Sequence, residues 1–368
     1  MRIAFYGSSL VSAYWNGAAT YYRGIIRNLA ALGHEIAFFE PDAYERQQHR
    51  DLEHDPEWAR VVVYPLDGVV HALEQARDYD VVVKCSGVGV FDDLLEHGVL
   101  AQRRPHQTVI FWDVDAPATL AGMTPEFRAL VPQFDLVFTY GGGDPVVRKY
   151  KAAGARQCVP IYNALDPTTH HPVPPDPRFD ADLAFLGNRL PDREARVEEF
   201  FLRAAELAPR HRFLLGGAGW DDKPVAANVR WLGHVSTNDH NALNCTPRAV
   251  LNVSRESMAT NGWSPATRVF EAAGAGACLI TDAWEGIDAF LEPEREVLVA
   301  RDGAEVAEMV TTLDADRARR IGQAALRRVM AEHTYAQRAR QVHEILSGRQ
   351  LSVIGSPLPT ANCQPTSL

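Results

Sequence analysis

Cysteine is scarce and scattered in this chain, which argues against a disulfide framework and against a zinc site. The sequence has five cysteines, an odd number, and no two of them have the short spacing of zinc ligands. The pattern is typical of reduced thiols in the cytoplasm. The cysteines are Cys85, Cys158, Cys245, Cys278 and Cys363.

A surplus of positive charge and a long apolar run are also lacking. The formal net charge is -10, whereas a nucleic-acid partner requires a basic face. No apolar run is long enough to cross a bilayer, and the first residues, Met1–Gly7, predict a short strand rather than a secretion signal. We expect a cytoplasmic protein without a nucleic-acid partner or an integral membrane segment. The sequence leaves a homodimer open.

Apolar runs alternate with helical patterns along the chain, and this alternation predicts parallel βαβ units. With 368 residues, of which 46% are hydrophobic, two domains are expected. The predicted fold class is α/β, with two Rossmann-like, doubly wound domains that face each other across a ligand-binding cleft. The predicted strands are Arg2–Tyr6, Glu35–Phe39, Val61–Tyr64, Val81–Lys84, Thr108–Trp112, Leu136–Tyr140, Asp182–Leu186, Phe213–Leu215, Val229–Leu232, Ala249–Val253, Cys278–Thr281 and Val297–Val299.

A stretch rich in proline, histidine and aspartate separates the two series of strands and predicts a linker over residues 166–180. The domains are therefore expected at residues 1–165 and 181–346, with the last helix either in the second domain or packed back on the first. Residues 347–368 lack periodicity, which predicts a disordered tail. The predicted helices are Ala18–Leu32, Asp192–Ala208, Ala304–Leu313 and a long one from Asp316 to Leu346.

The most informative motif is Asn-Gly-Trp-Ser-Pro-Ala-Thr-Arg-Val-Phe-Glu, which ends at Glu271. It predicts a loop and a helix that begins near Pro265, because proline is favoured in the first turn. Ser264, Thr267 and Arg268 would then lie with free backbone N–H groups at the positive end of a helix, which is a site for a diphosphate. Glu271 follows one turn later and could accept two hydrogen bonds from a ribose. The motif therefore predicts a nucleotide site.

This motif, together with the following Trp284-Glu-Gly-Ile-Asp-Ala-Phe, resembles the donor site of GT-B glycosyltransferases, in particular the spore maturation protein CgeB-like group. The segments Tyr22–Glu35 and Phe111–Leu120 resemble the same group, so the similarity spans residues 1–346. The resemblance implies a GT-B fold, a nucleotide-sugar bound to the second domain and an acceptor bound to the first. It also implies that Glu271 binds the ribose.

One position departs from the pattern of that family. Many retaining members have a further glutamate eight positions before the ribose-binding one, and Trp263 occupies that position here. The acid that would contact the donor sugar is absent. The identity of the sugar and the choice between retaining and inverting transfer are therefore both left open.

A second candidate for phosphate contact follows the strand that opens the second domain. Gly187 and Asn188 lie in a turn where the backbone could approach a phosphate, and Arg189 or Arg193 could pair with its oxygens. An ordinary turn with surface arginines is the alternative. His234 lies in a segment that resembles the base-binding loop of the family, and it is either a base contact or a solvated side chain.

Two aspartates at alternate positions follow the strand Thr108–Trp112. Asp113 and Asp115 are either metal ligands, turn-forming residues or acceptor-side groups. Since helix N–H groups and arginines already neutralise the phosphates, we predict no metal. Asp115 is then the general base or the residue that orients the acceptor hydroxyl, and Asp113 supports it. Arg268 is predicted to stabilise the departing diphosphate.

The first loop, from Gly7 to Gly17, contains no aspartate, glutamate or histidine and cannot supply a general base. Either an aspartate of the later segment does so, or the leaving diphosphate takes the acceptor proton and no base is needed. The small and aromatic residues of this loop suit stacking and hydrogen bonding to a bound substrate, which the resemblance makes the acceptor. They are Ser8, Ser9, Tyr14, Trp15, Asn16 and Gly17.

Residues and resemblance together predict a glycosyltransferase that moves a sugar, expected to be a hexose, from a nucleotide-diphosphate-sugar to an acceptor hydroxyl without a metal ion. A UDP-sugar is one candidate donor. The nucleotide-sugar is a co-substrate and no tightly bound cofactor is expected. The acceptor is unknown and could be a small molecule, a glycan or a protein. A nucleotide-sugar epimerase of the same fold, and a non-catalytic nucleotide-sugar-binding or scaffold protein, are the alternatives.

Overall fold

A computed structural model describes residues 1–14 and 16–348, and its strands form two parallel sheets. Trp15 and most of the predicted tail, residues 349–368, lie outside the described residues. The first sheet has seven strands in the order β3-β2-β1-β4-β5-β6-β7. They are β1 Arg2–Tyr6, β2 Glu35–Pro41, β3 Arg60–Tyr64, β4 Val81–Cys85, β5 Thr108–Asp113, β6 Leu136–Thr139 and β7 Cys158–Pro160.

The second sheet has six parallel strands in the order β10-β9-β8-β11-β12-β13. Its central strands are buried along their whole length, as expected for a sheet that helices cover on both faces. The strands are β8 Leu183–Leu186, β9 Phe213–Gly216, β10 Val229–Gly233, β11 Ala249–Asn252, β12 Leu279–Asp282 and β13 Leu298–Ala300.

Both sheets reverse their strand order at one point, and this point is where ligands bind in doubly wound folds. The reversal lies between β1 and β4 in the first sheet and between β8 and β11 in the second. The predicted fold class, two Rossmann-like α/β domains, is therefore confirmed. We call the parts built on the first and second sheets the N-terminal and C-terminal domains.

Two of the predicted helices, Ala18–Leu32 and Ala304–Leu313, agree with the structure to within one residue at each end. The predicted helix Asp192–Ala208 is helical, but a π-helical segment, Glu198–Leu202, separates α7 from α8. The predicted helix from Asp316 to Leu346 is wrong, because it is two helices that are separated at His333 and Thr334. Thr334 and Gln337 form a capping box, which begins a new helix. The helices are α1 Ala19–Ala31, α2 Val69–Gln75, α3 Asp92–Ala101, α4 Ala116–Ala121, α5 Pro125–Leu130, α6 Gly143–Ala152, α7 Glu194–Val197, α8 Arg203–Leu207, α9 His240–Cys245, α10 Glu256–Asn261, α11 Thr267–Gly274, α12 Gly303–Thr312, α13 Ala315–Glu332 and α14 Tyr335–Leu346.

The final helix returns to the N-terminal domain. Tyr335 of α14 is buried in the same apolar cluster as Phe5 and Trp112 of the first sheet. The chain therefore crosses between the domains twice, and the crossings are bonded to each other. The N–H of Leu165 donates to His333 O at 2.8 Å, and the N–H of Tyr335 donates to Leu165 O at 3.0 Å. No described helix is long and apolar enough to cross a membrane.

We expect Gly24→Ala to destabilise the protein by about 1–3 kcal/mol, the usual cost of overpacking a core. A Cβ on Gly24 of α1 would lie 2.3 Å from the Tyr335 ring, so α14 would have to shift. The exposed Thr20 of the same helix provides the control, since Thr20→Ala removes no buried contact. Urea unfolding of the two variants measures the difference. Equal midpoints would show that α14 does not pack tightly on α1.

Candidate active site

A cavity of about 520 Å³ lies between the two domains, at the strand ends where both sheets reverse their order. Loops after β1, β2, β4, β5 and β6 form one wall, and loops after β8 and β11 together with the start of α11 form the other. The lining residues are Asn16, Gly17, Ala18, Tyr21, Arg46, Gly87, Val114, Asp115, Tyr140, Asn163, Phe185, Leu186, Gly187, Arg193, Leu251, Asn252, Val253, Ser254, Arg255, Met258, Ala266, Thr267 and Arg268.

The N-terminus of α11 points its free backbone N–H groups at this cavity. The helix begins at Thr267, two residues after Pro265, near which its start was predicted. Pro265 instead precedes the N-cap, Ala266, which supplies no capping side chain, and the first turn contains no acidic residue. Thr267 and Arg268 line the cavity. The positive end of the helix is thus left without a protein anion.

Two partly buried arginines of the same wall each have a guanidinium nitrogen without a hydrogen-bond partner. Arg193 Nε and Arg268 Nη1 are buried atoms that have no hydrogen-bond partner among the described residues. The nearest carboxylate to Arg268 is Glu271, at 3.8 Å. Burial lowers the pKa of Arg193, and the positive charge of Arg268 lowers it further. Since unpaired buried cations are costly, this wall is prepared for an anion.

Glu271 lies behind the arginines and is not itself among the lining residues. Its carboxylate is 3.8 Å from Arg268 Nη1 and 3.9 Å from His170 Nε2. His240 of α9 lies close to this group. Its pKa is lowered to about 4, mainly by burial and in addition by the positive charge of Arg268. Neither histidine was a predicted site residue, because only the folded chain brings the linker and α9 to α11.

Four other predicted donor-side residues do not line the cavity, whereas Gly187 does. Arg189 is engaged in ion pairs with Glu194 and Asp222. Asn188 accepts a hydrogen bond from the backbone of Ala218 at 3.0 Å. The other two are the buried Ser264, which donates to the backbone oxygen of Gly262, and the exposed His234.

Asp115 reaches the cavity from the N-terminal domain and faces an arginine of the other domain. Its carboxylate is 3.7 Å from Arg255 Nη1, and Arg255 also pairs with Asp192. Asp115 stands at the N-cap of α4 but makes no capping hydrogen bond, so its side chain is available to a ligand. Burial raises the pKa of Asp115, while Arg255 opposes this shift.

Asp113 lies beneath the cavity wall and is fully buried. Its carboxylate accepts hydrogen bonds from Ser86 Oγ at 2.9 Å, Thr119 Oγ1 at 2.8 Å and the backbone N–H of Asp115 at 3.0 Å. The hydroxyl of Tyr150 donates to its other oxygen. Asp113 therefore cannot touch a ligand directly, and its contacts fix the backbone of Asp115.

The predicted substrate loop after β1 is only partly at the cavity. Asn16 and Gly17 line it, whereas Ser8 is buried behind them and donates to Asn16 Oδ1 at 2.9 Å. Tyr14 is exposed and stacks on His49, with 4.1 Å between the ring centroids.

Trp263, which stands where the family pattern has an acid, joins the two domains. Its backbone is left-handed, with φ 48°, and its oxygen accepts a hydrogen bond from Gly142 N at 2.7 Å. Its ring lies against Gly143 of the N-terminal domain and Gly286 of the C-terminal domain, where an added Cβ would come within 2.6 Å and 2.4 Å of it. Gly143 and Gly286 both have a positive φ, and a Cβ at either would meet the Trp263 ring, so glycine is favoured at both positions.

Comparison with known proteins agrees with this architecture. Residues 193–344 match the protein family described as glycosyl transferase-like. No curated protein has a significant sequence match to the chain. No group of three or more histidine, cysteine, aspartate or glutamate side chains among the described residues could hold a metal ion.

Solved structures share the fold at low sequence identity. Sucrose-phosphate synthase from Thermosynechococcus elongatus is 14% identical, with a TM-score of 0.69 over 95% of this chain and 98% of that one. HepE from Anabaena, in complex with UDP and glucose, is 15% identical, with a TM-score of 0.63 over 95% of this chain and 100% of that one. An alpha-glucosyltransferase in complex with UDP-glucose and DNA is 12% identical, with a TM-score of 0.70 over 94% and 99%.

Two facing doubly wound domains with a cavity at both points of strand reversal are the architecture of the GT-B fold. Within this fold, residues 193–344 form a glycosyl transferase-like domain.

Proposed function

We propose that the protein transfers a sugar from a UDP-sugar to an acceptor hydroxyl, without a metal ion. The observation that carries this proposal is the pair of incompletely partnered arginines, Arg193 and Arg268, at the uncapped N-terminus of α11. A helix end and two guanidinium groups supply the charge that a cation supplies in other transferases. Two similar structures contain UDP or UDP-glucose, which supports the choice of nucleotide.

The donor would lie against the C-terminal domain. Arg193, Arg268 and the backbone at Gly187 and Thr267 would hold the diphosphate, and Glu271 would accept hydrogen bonds from the ribose. The same groups would stabilise the diphosphate as it departs, when its negative charge increases. The likeness to the CgeB-like group and a cytoplasmic location remain part of the proposal.

The acceptor would lie against the N-terminal domain, beside Asp115. The carboxylate faces the cavity and its pKa is raised by burial, so it can take the proton of an acceptor hydroxyl. Asp113 would hold Asp115 in place through the backbone bond described above. An epimerase would also use cavity carboxylates, and Asp115 is the sole carboxylate among the lining residues of the described chain.

We expect UDP to raise the melting temperature of the protein in the presence and absence of EDTA, because a ligand of the folded state stabilises it by mass action. Screening UDP against GDP, dTDP and ADP by thermal shift identifies the base. Incubation with UDP-sugars and an acceptor panel then distinguishes transfer from epimerisation by the product. Loss of both binding and turnover in EDTA, with recovery in Mn²⁺, would contradict the metal-free site.

A further inference from the structure

Arg46 is a buried cation of the cavity that the proposed donor site does not use. The residue is 6% exposed and lies on the loop after β2. Its Nη1 donates to Ser8 O at 3.2 Å and to Val88 O at 3.3 Å. These carbonyls belong to the loops after β1 and β4. The guanidinium is therefore fixed where the first sheet reverses its order, the position at which doubly wound domains bind ligands.

No carboxylate of the described chain forms an ion pair with Arg46, and its Nε is buried without a hydrogen-bond partner. Glu40 is the nearby acid, but its oxygens accept hydrogen bonds from Ser9 Oγ, Leu10 N and Gln47 Nε2. Burial lowers the pKa of Arg46, which reflects the cost of holding this charge away from water. An anionic ligand would remove that cost.

The backbone that presents Arg46 is strained. Tyr44 and Glu45 both have φ 56°, a left-handed conformation that is unfavourable for residues other than glycine. The guanidinium of Arg46 lies over the Tyr44 ring at 4.9 Å, and a Cβ on Gly89 would come within 2.8 Å of that ring. The loop is thus held in one conformation that places the arginine at the cavity.

The start of α1 provides a second group that favours an anion. Gly17 and Ala18 line the same cavity as Arg46. Ala18 is the N-cap of the 13-residue helix α1, and it supplies no capping side chain, while the first turn has no acidic residue. The helix therefore presents its positive end on the acceptor side, with the N–H of Ala19 donating to Asn16 O.

We propose that Arg46 and the N-terminus of α1 bind a phosphate or carboxylate group of the acceptor, so that the enzyme glycosylates an anionic acceptor. This inference rests on the proposed function. Arg193 and Arg268 balance the two negative charges of the donor diphosphate. Arg255 forms ion pairs with Asp115 and Asp192. Among the lining cations of the described chain, Arg46 remains without an ion pair, and the nearby Glu40 only partly offsets its charge.

The test fills the donor site first and then probes for the second anion. Wild type, Arg46→Met, Arg46→Lys and Arg50→Met are saturated with UDP and titrated with inorganic phosphate, glucose 6-phosphate and glucose by calorimetry. Arg50 is the matched control, because it lies in the same loop and pairs with Asp55 outside the cavity. Melting temperatures and the UDP affinity of each variant report whether the fold is intact.

We expect Arg46→Met to weaken binding of both phosphate probes by about 10- to 100-fold, the usual loss for a hydrogen bond to a charged group. Arg46→Lys should retain part of that binding, Arg50→Met all of it, and UDP affinity should stay within about twofold throughout. Equal phosphate binding by Arg46→Met and wild type would overturn the inference. A loss of UDP affinity in Arg46→Met would also overturn it, because that result would place Arg46 in the donor site. Wild type that fails to bind UDP overturns the proposed function. Wild type that binds UDP but neither phosphate probe overturns only the anionic acceptor.

Discussion

Replacing Asp115 with asparagine should lower the rate of sugar transfer by about 10²–10⁴-fold, the usual contribution of a general base. The amide keeps the size of the side chain but cannot take a proton. Because Asp115 and the proposed diphosphate site lie on opposite walls of the cavity, UDP affinity should be nearly unchanged. Initial rates against acceptor concentration, together with a UDP titration of the same preparation, measure both quantities.

The pH dependence of transfer gives a second measurement of the same prediction. Burial raises the pKa of Asp115, and a base acts only in its ionised form. Wild-type activity should therefore fall as the pH falls through this raised pKa, and the residual activity of Asp115→Asn should lack that decrease. A variant as active as wild type would show that the leaving diphosphate takes the proton. A variant that loses UDP binding would show that donor and acceptor do not occupy separate walls.

Replacing Arg268 with methionine should weaken UDP binding by at least about 30-fold, since removing one partner of a buried charge pair costs about 2–5 kcal/mol. The free protein should be at least as stable as wild type, because the variant removes a cation whose Nη1 is buried without a hydrogen-bond partner and whose nearest carboxylate, Glu271, is 3.8 Å away. Calorimetric UDP titration and thermal unfolding without ligand measure the two effects. The combination of lost binding and retained stability distinguishes a ligand site from a structural arginine.

Arg189→Met is the matched control for this prediction. Arg189 lies close to Arg193 in sequence, but its guanidinium pairs with Glu194 and Asp222 and does not line the cavity. Its replacement should leave UDP affinity within about threefold and cost only the small free energy of an accessible ion pair. An equal loss of UDP affinity in both variants would mean that the diphosphate lies nearer to Arg189 than proposed.

The sheets could be predicted from sequence because each buried parallel strand is a short apolar run. The run Thr108–Trp112, for example, became β5 with one added residue, Asp113. Strand β7 was not predicted, since it has only three residues, Cys158–Pro160. The break before α14 was not predicted either, because apolar periodicity continues across His333 and the capping box at Thr334 was not recognised.

The residues of the candidate site could be predicted only where they lie together in one local sequence motif. Thr267 and Arg268 lie together at the start of one helix, and local helix signals placed them at the cavity. Arg46 and Arg255 come from loops with no distinctive pattern, and only the tertiary fold brings them to the same cavity. Arg189 and Arg193 looked equivalent in sequence. Only Arg193 lines the cavity, and Arg189 instead pairs with Asp222, which is distant in sequence.

The double crossing of the chain between the domains limits how the enzyme can open. A single linker would allow the domains to bend and twist in many directions, whereas two adjacent segments bonded to each other at Leu165 favour rotation about one axis. The two domains of the free protein then adopt fewer relative orientations. Less entropy is therefore lost when the cavity closes on a donor and an acceptor, so the entropic cost of closure is small. Cutting the chain between α13 and α14 should therefore loosen the apposition of the two walls, even though the cut lies outside the cavity.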